Sequence, residues 1–300
     1  MSAESRRVVV TGATGGLGFF AAERLAGEGH RVVLAARDAG RAVQAADTIR
    51  DRHPHADLET VDLDLADLSS IESGAAAISA GGPVDVLLAN AGVVGARRRG
   101  TTTDGFELQF GTNHLGHFAL VAHLLPALDA AQAGRVVHLG SISHRFVRLD
   151  LDDPMMVSSY SGAVAYARSK LAVMTFGFDL DRRLRQRDSS VASIVAHPGY
   201  AMQALTEPRP PVVEPHRPPA IILSALHTFA QGKEVGIEPL VHAAVGADVS
   251  GGEYWGPAGW FQLTGEAARV PAKKHARDAS VAERLWTLSA ELTGVDPLAP

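Results

Sequence analysis

Six short, apolar, β-branched-rich runs recur along the first two thirds of the chain: Arg7–Thr11, Arg31–Ala35, Leu58–Val61, Val84–Leu88, Arg135–Leu139 and Val191–Ala196. Between them lie Ala-, Leu- and Arg-rich segments with helical spacing of apolar residues, such as Phe19–Gly27, Ala39–Arg50 and Leu68–Ser79. A run that is apolar throughout, rather than at every second residue, suits a strand buried on both faces. Strands of that kind alternating with helices imply parallel pairing through right-handed crossovers. The expected fold is α/β, a doubly wound parallel sheet of the Rossmann type.

The pattern changes after His197. Pro198–Pro219 is rich in proline, which removes backbone donors and blocks helix interiors, so the segment reads as a loop or lid. A helical pair is expected near Pro219–Gln231 and Val235–Val245, a short glycine-flanked strand at Gly252–Trp255, and an amphipathic helix near Ser280–Leu292.

Composition narrows the partners. The 300 residues are 46% hydrophobic, enough for a sizeable core, and the net charge of −5 is spread along the chain. A nucleic-acid partner is therefore not expected. The chain has no cysteine, which removes disulfides, thiol nucleophiles and thiolate metal sites and is compatible with a cytoplasmic location, the one expected here. Met1–Arg7 is polar and does not read as a signal peptide. The longest later apolar stretch, Ala220–Ala230, is broken by Ser224, His227 and Thr228, so no membrane span is expected and the protein reads as soluble.

The first strand run leads into Thr11-Gly12-Ala13-Thr14-Gly15-Gly16-Leu17-Gly18, which opens the first helix. Glycines there allow a tight turn and let a pyrophosphate approach the backbone, while the helix start offers unpaired N–H groups and partial positive charge. This placement points to a dinucleotide cofactor. The spacing, glycine at 12, 16 and 18, differs from the Gly-x-Gly-x-x-Gly fingerprint. At the end of the second strand stand Ala36, Arg37 and Asp38. A carboxylate there would accept from a ribose 2′-hydroxyl, and a guanidinium would hold a 2′-phosphate. Arg37, with Arg41 one turn later, favours NADP(H). Asp38 leaves the NAD role open if the strand runs on by one residue.

Tyr166 and Lys170 lie four apart on one face of a helical segment. A nearby ammonium would favour the phenolate and lower the tyrosine's pKa, making it a general acid or base. Tyr-x-x-x-Lys alone is common. Here it is joined in order by Thr11–Gly18, Asp64-Leu65, Asn90-Ala91-Gly92, Asn113, Ser141 and Pro198-Gly199. The chain resembles the short-chain dehydrogenase/reductase family over roughly Arg7–Val295. Within it, Asn113–Phe118, His197–Tyr200, Gly251–Pro257 and Leu288–Val295 are similar to the branch of retinol dehydrogenases, the WW-domain oxidoreductase and protochlorophyllide reductase.

The resemblance implies an oxidoreductase that moves a hydride between a nicotinamide and a carbonyl or alcohol carbon of an apolar small molecule. It implies Tyr166 as proton donor or acceptor and Ser141 as the group orienting the substrate oxygen. Lys170 would bind the nicotinamide ribose and lower the Tyr166 pKa, and Asn113 would hold a water that relays protons to Lys170. Cofactor contacts would come from Gly12, Thr14, Gly15, Gly16, Leu17, Gly18, Arg37, Asp64, Leu65, Asn90, Ala91, Gly92, Pro198 and Gly199, with Tyr166 and Lys170. Residues 1–300 then read as one domain, about 7–197 as cofactor-binding and catalytic core and about 198–300 as a small lobe, with Met202–Pro219 covering the substrate. Family members also assemble as homo-oligomers, the implied quaternary state.

The chain departs from the family pattern in two places. Gly140 stands where a second serine is usual, leaving Ser141 with Ser143 as a rival. Gln203 replaces a threonine that bonds the carboxamide; its amide has both a donor and an acceptor to offer. His144 and Tyr200 are substrate-pocket candidates, His144 against the alternative of a loop histidine. Arg97–Arg99 fits an anionic substrate or a solvated loop. Tyr254, Trp255 and Trp260 are expected to pack the last strand and helix. His114, His117, His123, His138 and His144 show no ligand pattern, so no metal is expected. A dinucleotide-binding sensor without turnover, or an epimerase or dehydratase using the nucleotide transiently, remain the rival functions.

Overall fold

The computed structural model describes residues 5–95, 98–215 and 229–299. Eight strands form one sheet: β1 (Arg7–Thr11), β2 (Arg31–Ala36), β3 (Leu58–Asp62), β4 (Val86–Ala89), β5 (Arg135–Leu139), β6 (Ala192–Ala196), β7 (Tyr254–Pro257) and β8 (Ala267–Arg269). Their order is β3-β2-β1-β4-β5-β6-β7-β8. All neighbours from β3 to β7 are parallel, and β8 closes the edge antiparallel to β7. The direction of winding reverses between β1 and β4, so a crevice opens beyond their carboxyl ends.

Successive strand residues face opposite layers. Val8 and Val10 of β1, with Leu34, Val86 and Leu88, pack under α1 (Gly16–Gly27), α2 (Ala39–Arg52) and α6 (Glu238–Val245). Val9, Val33, Leu87 and Val136 pack under α3 (Leu68–Ala80), α4 (Gly116–Asp129) and α5 (Gly162–Gln186). The last helix, α7 (Ala279–Thr293), inserts Trp286 beside Phe118 and Phe176 in this second layer. Three aspartates start helices by accepting first-turn N–H groups: Asp38 for α2, Asp67 for α3 and Asp278 for α7.

The structure departs from the sequence expectations in identifiable places. β3 is not apolar throughout; as the edge strand it leaves Thr60 and Asp62 exposed. β8 carried no apolar signal, because three residues on an edge have only one partner strand. Tyr254 and Trp255 are buried, but Trp260 is 75% exposed and Phe261 beside it 62%, so Trp260 does not pack the last strand and helix. Of the expected helical pair, the second appears as a single turn, Lys233–Gly236, followed by α6. Most of the first, Pro219–Gln231, lies outside the described residues.

The proline-rich segment divides. Its start, Gln203–Leu205, forms a helical turn near the crevice. Further on, Arg209 donates to Glu23 of α1 at 3.0 Å and lies over the Phe20 ring, with Val213 buried in the same layer. Residues 209–213 therefore pack on the outside of α1, where the buried Glu23 carboxylate holds Arg209, and residues 216–219 of the expected cover lie outside the described residues. Among the described residues, no helix is long and apolar enough to cross a membrane.

Candidate active site

A cleft of about 420 Å³ opens at the carboxyl ends of β1, β4 and β5. It is lined by Gly12, Thr14, Gly15, Gly16 and Leu17 from the first loop, Arg37 and Arg41 after β2, and Asp64 and Leu65 after β3. Asn90, Ala91 and Gly92 line it after β4, and Tyr166 and Lys170 from α5. The sheet thus gathers thirteen of the anticipated cofactor residues into one cleft, from loops that follow different strands.

The glycine loop is held against the end of β4. Gly12 and Gly16 adopt left-handed backbone with φ of +68° and +56°. A Cβ on Gly18 would collide with the Asn90 amide and the Gly12 carbonyl, so Gly18 acts through close packing and does not line the cleft itself. Asn90 Nδ2 donates to the Thr11 carbonyl at 2.9 Å, and the N–H groups of Asn90 and Ala91 donate to Thr11 Oγ1. Gly15, which precedes α1, has no side chain to cap the helix, and the first turn holds no acidic residue. The first-turn N–H groups and the helix dipole are left available to an anion. Where a Cβ on Gly15 or Gly16 would stand, the neighbours are Arg41 Nη2 at 3.5 Å and Lys233 Nζ at 3.8 Å. An open backbone facing two cations fits a dinucleotide's phosphates.

β2 ends at Ala36, and Asp38 does not extend it. The Asp38 carboxylate accepts from the Arg41 backbone N–H at 2.9 Å, as the cap of α2. Arg37 is left at the strand end beside the cleft, and Arg41 Nη2 donates to the Thr14 carbonyl at 3.1 Å.

Asn113 sits in a π-helical stretch, Gly111–Leu115, that leads into α4. Its Oδ1 accepts from Val93 N–H at 2.8 Å, while Nδ2 donates to the Val93 carbonyl and to Ser169 Oγ. A Cβ on Gly92 would lie 3.0 Å from Asn113 Oδ1 and 3.6 Å from Lys170 Nζ, so glycine lets both side chains close on this loop. The Asn113 carbonyl accepts from His117 Nδ1 at 2.9 Å, and His117 Nε2 pairs with Thr11 Oγ1 at 3.0 Å. Burial holds His117 at a pKa of about 4. With Nδ1 carrying the proton, Nε2 accepts from Thr11, and the buried histidine ties the glycine loop to the turn carrying Asn113. Nothing in the helical periodicity of the sequence signals this link.

Ser141 begins a helical turn, Ile142–Phe146, directly after β5, and its Oγ accepts from Ser143 N–H and from Ser143 Oγ at 3.0 Å. The two serine hydroxyls are thus bonded to each other. Burial raises the Tyr166 pKa above its ordinary value, and the Ser141 hydroxyl pulls it back only in part. Lys170 Nζ is buried and donates to the Leu139 carbonyl at 2.9 Å; burial lowers its pKa to about 8. Burial is the largest influence on both groups, holding the phenol above and the ammonium below its ordinary value.

Other anticipated residues stand apart from the cleft. His144 is buried behind Ser141, its Nδ1 paired with the Ser141 carbonyl at 2.6 Å and its Nε2 accepting from Lys273 N–H at 3.4 Å. Gly199 turns with φ of +67° against Leu263, and the Pro198 carbonyl accepts from Gln231. Tyr200 is 43% exposed and stacks on Phe229. Arg99 Nε donates to the Met155 carbonyl, whereas Arg97 lies outside the described residues. Gln203 Oε1 accepts from Lys233 Nζ at 2.7 Å, and Lys233 is a cleft residue the sequence did not reveal. No spacing rule links it to the glycine loop, more than 200 residues away.

The fold and the ordered site define a class. The family model for short chain dehydrogenase matches residues 6–211, and the chain belongs to that family of oxidoreductases. Among its relatives, human retinol dehydrogenase 13 is 36% identical over 297 residues, covering 97% of this chain and 85% of that protein. The WW domain-containing oxidoreductase of Pongo abelii is 33% identical, covering 95% of this chain and 67% of the other. The crystal structure of an uncharacterised protein from Mycobacterium Paratuberculosis superposes with a TM-score of 0.80 at 36% identity, covering 98% of this chain and 95% of that one.

Proposed function

We propose that the protein is an NADP(H)-dependent carbonyl reductase or alcohol dehydrogenase of an apolar small molecule, with Tyr166 as its general acid and base. One observation carries the cofactor preference: the carboxylate at the end of β2, Asp38, is spent capping α2, while Arg37 and Arg41 remain at the cleft. A 2′-phosphate fits two guanidinium groups, whereas a 2′-hydroxyl needs an acceptor there. Kinship to a retinol dehydrogenase supports an apolar alcohol or aldehyde as the substrate class.

When bound, the nicotinamide supplies or accepts the hydride. This chain's residues manage the rest. Tyr166, protonated at neutral pH, gives its proton to the carbonyl oxygen during reduction and takes one back from the alcohol during oxidation. Ser141, its hydroxyl beside the Tyr166 phenol, orients that oxygen. Lys170 fixes the floor of the cleft through the Leu139 carbonyl and takes up or releases a proton near pH 8. Asn113 holds the Val93 backbone so that the Asn90–Gly92 loop keeps its shape.

The test is NADPH oxidation against a panel of apolar aldehydes, ketones and quinones, with NADH and Tyr166→Phe run alongside. Turnover with NADPH should fall by about 10²-fold or more in the variant. Near-normal turnover in Tyr166→Phe removes the tyrosine from the chemistry, and equal use of NADH removes the assignment of the phosphate site.

A further inference from the structure

Lys233 is an unusual cation in its setting. It belongs to the single helical turn Lys233–Gly236 of the C-terminal lobe, yet its ammonium reaches the start of α1, 3.8 Å from where a Cβ on Gly16 would stand. It is half-buried, and its side-chain partner is the neutral amide oxygen of Gln203 at 2.7 Å. Burial lowers its pKa, with no carboxylate among the described residues near enough to offset that. Other partly buried cations are matched, Arg183 with the Asp179 carboxylate, Arg209 with Glu23, and Arg135 with the carbonyls of Ala243, Ala244 and Gly246, while the buried Lys170 is tied to the Leu139 carbonyl. A half-buried ammonium without an anion is costly, and the cost is recovered where an anion arrives.

The anion's place is marked independently. The first turn of α1, a helix of 12 residues, has no side-chain cap and no acidic residue, and its glycines leave the backbone open on the side where Lys233 stands. Uncapped helical N–H groups and a lone ammonium converge on one point, the arrangement that selects a phosphate. Arg37 sits further along the cleft, at the end of β2, while Arg41 Nη2 lies 3.5 Å from where a Cβ on Gly15 would stand and is tied to the Thr14 carbonyl.

We propose that Lys233, oriented by Gln203, is a ligand of the cofactor's pyrophosphate and sets affinity for the dinucleotide without choosing between its two forms. The inference rests on the dinucleotide reading given above and adds a division of labour. Arg37 answers to the 2′-phosphate, present in one dinucleotide, and Lys233 to the pyrophosphate, present in both. Because the Lys233 backbone N–H also donates to Thr206 Oγ1 at 3.2 Å, cofactor binding would draw the turns at Gln203–Thr206 and Lys233–Gly236 onto the glycine loop. The residue that answers the family's carboxamide-binding threonine then serves the phosphate end through Lys233.

Equilibrium binding of NADPH and of NADH, read by nucleotide fluorescence without substrate, tests this on the full chain. Lys233→Met keeps the aliphatic stem and should raise both dissociation constants by the same factor, about tenfold. Lys233→Arg should recover most of the loss, and the salt dependence of binding should flatten in Lys233→Met. Thermal midpoints without nucleotide should match the parent, showing that the variant folds. Unchanged affinity in Lys233→Met, or a loss confined to NADPH, overturns the assignment. A change in substrate KM with unchanged dinucleotide affinity overturns it in favour of a substrate contact. Parent protein that binds neither dinucleotide overturns the cofactor reading itself and the inference with it.

Discussion

Acidification should unfold this protein through its buried histidines. His114 and His138 have pKa values held near 3, and His117 near 4, with burial as the largest cause in each. The hydrogen bonds agree with neutral rings. Ser289 Oγ donates to the Leu285 carbonyl, so His114 Nε2 donates to Ser289. Likewise Ser193 Oγ donates to the Gly177 carbonyl, so His138 Nε2 donates to Ser193. Among the described residues the Nδ1 atoms of both rings have no partner, and a proton placed there would be a buried donor without an acceptor. In the unfolded chain these rings titrate near 6.5. Their folded pKa values are depressed, so the unfolded state binds more protons below 6.5, and stability is lost as pH falls from there toward 4. Each ring costs about 1.4 kcal/mol per pH unit in that window, or roughly 2 kcal/mol between pH 6.5 and 5. Three rings reach about 6 kcal/mol, comparable to a whole domain's stability of about 5–15 kcal/mol. Urea unfolding followed by tryptophan fluorescence at pH 7, 6 and 5, at constant ionic strength, measures the loss. His138→Leu should lower the slope with pH by about one proton's worth. A stability that stays flat from pH 7 to 5, or an unchanged slope in His138→Leu, refutes the reasoning.

Three further outcomes follow from the same geometry. Arg37→Ala should weaken NADPH binding by about tenfold or more while leaving NADH binding nearly unchanged, as read by titration of nucleotide fluorescence. Gly18→Ala should drive its Cβ into the Gly12 carbonyl and the Asn90 amide, pushing that amide off the Thr11 carbonyl, at a cost of about 1–3 kcal/mol in urea unfolding and most of the dinucleotide affinity. With Tyr166 raised above its ordinary pKa, carbonyl reduction should hold its rate across neutral pH, and alcohol oxidation should rise steadily toward alkaline pH; an oxidation rate that peaks near pH 7 would mean that the phenol titrates lower than its burial implies.

The local signals in the sequence were those that act locally. Continuous apolar runs such as Val8–Val10 specify buried parallel strands wherever they fall, and a strand followed at once by glycines at 12, 16 and 18 can only turn sharply into a helix whose start faces outward. Because every parallel strand ends on the same side of the sheet, the order of strands and loops was enough to bring Gly12, Asp64, Asn90 and Tyr166 to one cleft. Tertiary structure decided what depends on burial and on distant partners. Asp38 and Arg37 are adjacent in the chain, and only the end of β2 at Ala36 makes one a helix cap and leaves the other at the cleft. The Tyr166–Lys170 spacing set both groups on one helix face, and burial, a property of the packed site, holds the phenol above and the ammonium below its ordinary value. Prolines marked Met202–Pro219 as non-helical, and only the fold shows Arg209 within it held by Glu23 on α1. Lys233 reaches the glycine loop for the same reason, through a contact that no periodicity within a short window can encode.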